Sequence, residues 1–141
     1  MAEPRDDSLQ TTLRARGYRL TPQRQLVLEA VTELRHATPE DVHAWVRDRA
    51  EGVNISTVYR TLELLEEIGL VTHAHLSHGA PTYHAADAPQ HAHVVCHTCG
   101  SVSELGQGDL GSLVETIRQR TGFVPDIGHL TVFGECQRCA G

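Results

Sequence analysis

Four cysteines in two Cys-x-x-Cys pairs constrain this chain more than any other feature. Cys96-His97-Thr98-Cys99 and Cys136-Gln137-Arg138-Cys139 use every cysteine in the 141 residues. Two such pairs make a tetrahedral thiolate site suited to Zn²⁺, so two distant stretches of chain must meet. The sequence also carries ten histidines, with His73, His75, His84, His91, His93 and His129 among those before and between the pairs. They suggest a second, imidazole-based metal chemistry. One structural zinc beside an imidazole-rich site reads as a metal sensor.

The length allows one large domain or two small ones. No stretch reaches the apolar length that spans a membrane. The N-terminal Met1-Ala-Glu-Pro-Arg-Asp-Asp lacks the apolar core of a signal peptide. A cytoplasmic protein with no membrane partner is expected, and there cysteines stay reduced. That favours metal or redox roles over disulfides. The formal net charge of −6 argues at first against a nucleic-acid partner. Its distribution argues otherwise: Arg14, Arg16, Arg19 and Arg24 lie between Ser8 and Leu28 with no acid among them. The chain has no lysine, so its basic surface is all Arg. The planar guanidinium fork grips phosphate oxygens in pairs.

From residue 8 to about 69 the chain reads as successive helices. Ser8 to Arg16 is followed by Gly17, and Thr21-Pro22 caps a run with Leu26, Val27, Ala30, Val31 and Leu34 at helical spacing. Thr38-Pro39-Glu40-Asp41 repeats the start signal with acids in the first turn, and Val42, Trp45, Val46 and Arg49 continue it to Gly52. Ser56 is expected to cap the next helix, whose Val58, Leu62, Leu65 and Ile68 form one apolar stripe ending at Gly69. Leu70–Leu76 and Pro81–Ala85 then read as short strands around a Ser77-His78-Gly79 turn. Helices followed by a small hairpin describe a winged helix-turn-helix, with the hairpin as the wing. Its second helix enters the major groove of double-stranded DNA N-terminus first. Ser56, Thr57, Tyr59 and Arg60 are therefore the base-reading candidates, with Arg19 from the basic cluster beside them. Glu63, Glu66 and Glu67 lie further back.

Asp87-Ala-Pro-Gln90 reads as a linker. Strands are expected over His91–Cys96, Val102–Leu105 and His129–Phe133, with a helix over Asp109–Thr121 whose Leu110, Leu113, Val114 and Ile117 face inward. A half with so few apolar residues needs zinc and a partner subunit to stay folded. The fold class is α+β: a winged-helix DNA-binding domain over 1–86, a hinge linker over 87–90 and an α/β dimerisation domain over 91–141. No enzyme is expected. Neither Cys pair sits at a helix start in a thioredoxin-like context, although a thiol redox or peroxide sensor is an alternative. No His-Glu-x-x-His motif marks a zinc hydrolase.

Arg19-Leu-Thr-Pro-Gln-Arg24, Asn54-Ile-Ser-Thr-Val-Tyr-Arg-Thr-Leu62 and His91-x-His93-x-x-Cys96-x-x-Cys99 resemble the ferric uptake regulator family, and the likeness runs from about Leu13 to Cys139. The resemblance implies a homodimeric, metal-responsive repressor. It places Tyr59 and Arg60 on the recognition helix and zinc on Cys96, Cys99, Cys136 and Cys139. Val71-Thr-His-Ala-His-Leu76, His78-Gly-Ala-Pro-Thr-Tyr-His84 and His129 before Val132-Phe-Gly134 resemble the family's actinobacterial nickel-responsive subgroup. That likeness implies a nickel site on His73, His75 and His129, and a hinge site on His36, His91 and His93. The position of the fourth hinge ligand is Pro89, where the nearby His84 or a water is expected to serve instead. Iron- and zinc-type members often carry His-His-Asp-His where this chain has Gln90-His91-Ala92-His93. Glu104 is then left with few partners from that alternate set, which weakens the case for Fe²⁺. Ni²⁺ is the expected effector, with Zn²⁺ or Fe²⁺ as alternatives.

His73 and His75, two apart on a strand, project from one face. His129 is expected from the other domain, so that one ion bridges the halves and selects the DNA-fitting conformation. Imidazole suits Ni, Cu and Zn better than Mg or Ca. His43 reads as a surface residue, His97 as solvent-facing and His78 as a wing-tip residue.

Overall fold

A computed structural model describes residues 5–77, 79–86 and 90–141. The order is α1 (Arg5–Ala15), α2 (Pro22–Leu34), α3 (Pro39–Arg47), α4 (Ile55–Glu67), β1 (Val71–Ala74), β2 (Thr82–Ala85), β3 (His91–Cys96), β4 (Val102–Gly106), α5 (Gln107–Thr121), β5 (Thr131–Gly134) and α6 (Gln137–Ala140). A 3₁₀ turn over Ile127–His129 precedes β5. The wing-tip His78 and the linker residues 87–89, Pro89 included, lie outside the described residues. Among the described residues, no helix is long and apolar enough to cross a membrane.

The described residues group into two compact units. One runs to Thr72 and takes up Tyr83–Ala86; the other comprises His73–Thr82 and the chain from Gln90 onward. In the first unit each helix start is fixed by local chemistry. Thr21 Oγ1 accepts from the Arg24 N–H at 3.2 Å. Thr38 and Asp41 cap each other, with Asp41 N–H on Thr38 Oγ1 at 3.2 Å and Thr38 N–H on Asp41 Oδ2 at 3.1 Å. The cap of α4 differs from expectation. Asn54, not Ser56, holds it: Asn54 Oδ1 accepts from the Thr57 N–H at 2.9 Å, and Ser56 lies exposed inside the first turn. Gly17 and Gly69 end α1 and α4 at φ of 81° and 83°, a region costly for any residue with a Cβ.

Leu13, Val27, Val31, Val42, Val46, Val58, Leu62 and Leu65 are fully buried at the centre of α1–α4. A bridge between Ala37 and Tyr83 ties β2 to the bundle, with N–H to O distances of 3.0 and 2.7 Å. With β1 and β2 paired, this is the winged helix-turn-helix read from the sequence. His43 is less free than expected: it is half-buried, and its Nε2 lies 3.0 Å from the Val53 carbonyl.

The second unit is a three-stranded sheet in the order β4-β3-β5, antiparallel at β3–β4 and parallel at β3–β5. Helix α5 begins at Gln107 because the Asp109 carboxylate accepts from the Gly106 N–H at 3.1 Å, two residues before the expected start. Of its apolar stripe only Leu110 is buried. Val114 and Ile117 are half-buried and Leu113 is 43% exposed. The expected inward face is therefore only partly covered. His129 lies in the 3₁₀ turn and not in the strand, because Asp126 Oδ1 accepts from the Gly128 N–H at 3.1 Å and closes the chain locally.

Candidate metal centres and nucleic-acid interface

The end of β3 delivers Cys96, the turn after it Cys99, and the start and interior of α6 Cys136 and Cys139. One sulfur from each lies within 4.8 Å of the others, and Cys99 Sγ and Cys136 Sγ are 3.8 Å apart. Sulfurs about 2.3 Å from a tetrahedral ion lie roughly 3.8 Å from each other, so the spacing fits zinc. All four cysteines are free thiols. Cys96 is buried, and its sulfur accepts from the backbone N–H of Cys136 at 3.4 Å and of Cys99 at 3.5 Å. Those donors lower its thiol to about 5. Ser101 lowers Cys99, while the neighbouring Cys136 sulfur pushes Cys139 up to about 12. Protein groups alone thus favour thiolate at one end of the cluster and oppose it at the other. A cation bound among them would hold all four as thiolates.

The second unit also gathers imidazoles. The His73 ring is 5.2 Å from that of His75 and 5.1 Å from that of His129, centre to centre. With metal–nitrogen distances of about 2.1 Å, rings sharing one ion have centres roughly 5 Å apart. His73 thus neighbours both His75 and His129, and all three belong to one compact unit, so the expectation that His129 comes from the other domain does not hold. His129 Nδ1 lies 2.8 Å from Asp126 Oδ2.

A further group lies on β3 and β4. His91 and His93 are successive residues of one face, with ring centres 4.7 Å apart. The antiparallel register sets Glu104 opposite His93, and its Oε1 lies 3.4 Å from His91 Nε2. Ligand atoms of His91, His93 and Glu104 all fall within 4.8 Å of one another. In the first unit, His36 and His84 face each other with ring centres 5.6 Å apart. His36 follows Arg35, which holds φ 68° and ψ −62° in a tight turn closed by His36 N–H on the Leu34 carbonyl at 2.8 Å. His97 is exposed, as its place in the Cys-x-x-Cys loop suggested.

The residues expected to meet DNA lie in the first unit. Ser56, Tyr59 and Arg60 are exposed on the first turns of α4, with Thr57 half-buried between them. A cleft of about 240 Å³ lies beside them, lined by Thr21, Gln23, Arg24, Thr57 and Arg60. Arg19 is exposed just before α2, and its carbonyl accepts from Arg24 Nη1 at 2.5 Å. The Tyr59 hydroxyl donates to Glu40 Oε1 at 3.1 Å. That bond raises the phenol above its ordinary value, since losing the proton would set phenolate against carboxylate.

The profile of the ferric uptake regulator family matches residues 15–133. The chain belongs to the ferric uptake regulator family. A ferric uptake regulation protein of Bacillus subtilis is 34% identical over 144 residues, covering 99% of this chain and 97% of its own. A zinc uptake regulation protein of Mycobacterium tuberculosis is 33% identical over 129 residues, covering 89% and 97%. The structure of a ferric uptake regulator from Pseudomonas aeruginosa, solved with manganese, superimposes with TM-score 0.71 at 30% identity, covering 90% of this chain and 96% of that one. The Helicobacter pylori regulator shares the fold, with TM-score 0.79 at 21% identity over 96% and 91%. As a member of the ferric uptake regulator family, this chain is a metal-responsive transcriptional regulator. Its relatives are named for regulating the uptake of different metals, iron and zinc.

Sequence reasoning missed three side chains that this family member sets around its sites. Glu104 was read as poor in partners, yet strand register puts it beside His91. Asp126 and Glu40 were not singled out. An Asp three residues before a candidate ligand was the available signal for Asp126. Glu40 meets Tyr59 only through helix packing.

Proposed function

We propose that this chain is a nickel-responsive repressor that binds operator DNA as a homodimer when metal-loaded. The observation that carries the reading is that the His73 ring lies beside those of both His75 and His129. Three imidazoles with room for water suit the octahedral preference of Ni²⁺. Cys96, Cys99, Cys136 and Cys139 hold the structural zinc. A further metal is assigned to His36, His91 and His93, with His84 as replacement for the position of Pro89; Glu104 adds an oxygen donor. Arg19, Ser56, Thr57, Tyr59 and Arg60 meet DNA. Apolar Phe123, Val124, Val132 and Phe133, all exposed in the single chain, support a partner subunit on the second unit. Metal binding selects the conformation whose recognition helices fit the operator spacing.

The test is DNA binding by the zinc-loaded protein, on sequences selected from a random pool, at buffered free Ni²⁺, Zn²⁺, Fe²⁺ and Co²⁺. Ni²⁺ is expected to restore tight binding at the lowest free concentration. His73→Ala and His129→Ala are expected to abolish the response while zinc content and dimer persist. A preference for Zn²⁺ or Fe²⁺ would keep the repressor and overturn the metal.

A further inference from the structure

Asp126 uses both of its carboxylate oxygens. Oδ1 accepts from the Gly128 N–H at 3.1 Å, which fixes the carboxylate to the backbone of the 3₁₀ turn. Oδ2 lies 2.8 Å from His129 Nδ1. An ionised carboxylate only accepts hydrogen bonds, so this contact pairs it with Nδ1–H, and in the neutral imidazole Nε2 then keeps its lone pair. Asp126 thus meets the His129 ring at Nδ1, and the His73 ring lies 5.1 Å from that ring, centre to centre.

We infer that Asp126 is a positioning residue for metal binding: it locks His129 in the Nδ1–H tautomer and presents Nε2 to an ion shared with His73 and His75. This rests on the proposed sensing site. A carboxylate behind a ligating imidazole fixes ring and tautomer and makes the free nitrogen a better electron donor. Loss of such a partner typically costs about 10- to 100-fold in metal affinity.

Asp126→Asn separates this role from turn formation. The amide oxygen still accepts from Gly128 N–H, while its NH₂ group cannot accept from Nδ1–H. Two readouts on the zinc-loaded protein decide the matter. Long-range ¹⁵N NMR of the nickel-free protein should show His129 protonated at Nδ1, and the variant should lose that preference with an unchanged melting temperature. Ni²⁺ titration should show about 10- to 100-fold weaker binding in Asp126→Asn, with His129→Ala weaker still. Wild-type Ni²⁺ affinity in Asp126→Asn alongside lost affinity in His129→Ala would overturn the positioning role and spare the sensing site. Wild-type affinity in His129→Ala would overturn the sensing site and the positioning role together. A His129 protonated at Nε2 in the wild-type protein would overturn the tautomer lock.

Discussion

Tyr59 stands on the exposed first turns of α4, where a phenol could face bases in any rotamer. The hydrogen bond to Glu40 at 3.1 Å restricts it. Because the hydroxyl proton is given to Glu40, the oxygen's remaining lone pairs are what it can offer elsewhere. The same bond holds the phenol above its ordinary value near 10, as burial does for Tyr83. A group raised on folding contributes stability that is fully present below its unfolded pKa and is lost as pH rises through the folded one. Alkaline titration followed by tyrosinate absorbance should therefore show Tyr59 ionising late. Glu40→Gln should bring it down towards the ordinary value while leaving Tyr83 in place. An unchanged titration curve in that variant would mean the bond is not held in solution.

At the scale of elements, α4 gives a direct measure of which cap matters. Asn54→Ala removes the side chain that accepts the Thr57 N–H and should destabilise the first unit by about 1 kcal/mol in denaturant unfolding. Ser56→Ala, one position inside the exposed first turn, should cost far less. Equal losses would show that Ser56 shares the cap. Helices were legible in the sequence because their signals are local: Thr38-Pro39 with Asp41 is a cap that needs no tertiary partner. The candidate site was legible where ligands sit at fixed short spacing, as in the two Cys-x-x-Cys pairs. It was not legible where strand register supplies the partner, as for Glu104 opposite His93. It also failed where a side chain closes a turn against the strand pattern, as Asp126 does before His129. The apolar stripe of α5 misled for the same reason. Periodicity marks the face that can be buried, while its cover need not come from the same chain.

For the whole molecule, the two units differ in what holds them. The first is filled by fully buried side chains contributed by all four helices. The second buries little beyond Ala74, Ala92, Val95, Leu110, His93 and Cys96. Fully burying a Val or Leu side chain is worth about 1.5–3 kcal/mol, whereas a structural zinc site contributes about 10 kcal/mol or more. On the proposed zinc site, metal outweighs apolar packing in the second unit, while apolar packing holds the first. Cys96→Ser should make the imbalance visible. It leaves the N–H groups of Cys99 and Cys136 aimed at a hydroxyl in place of a thiolate, and removes one of four ligands. Amide hydrogen exchange in the variant, or in wild type stripped by a chelator, should show protection lost across β3, β4 and β5 while α2, α3 and α4 keep theirs. Protection lost equally from both units would show that the helical core cannot stand without the zinc, and protection kept in both would remove zinc from the second unit's stability.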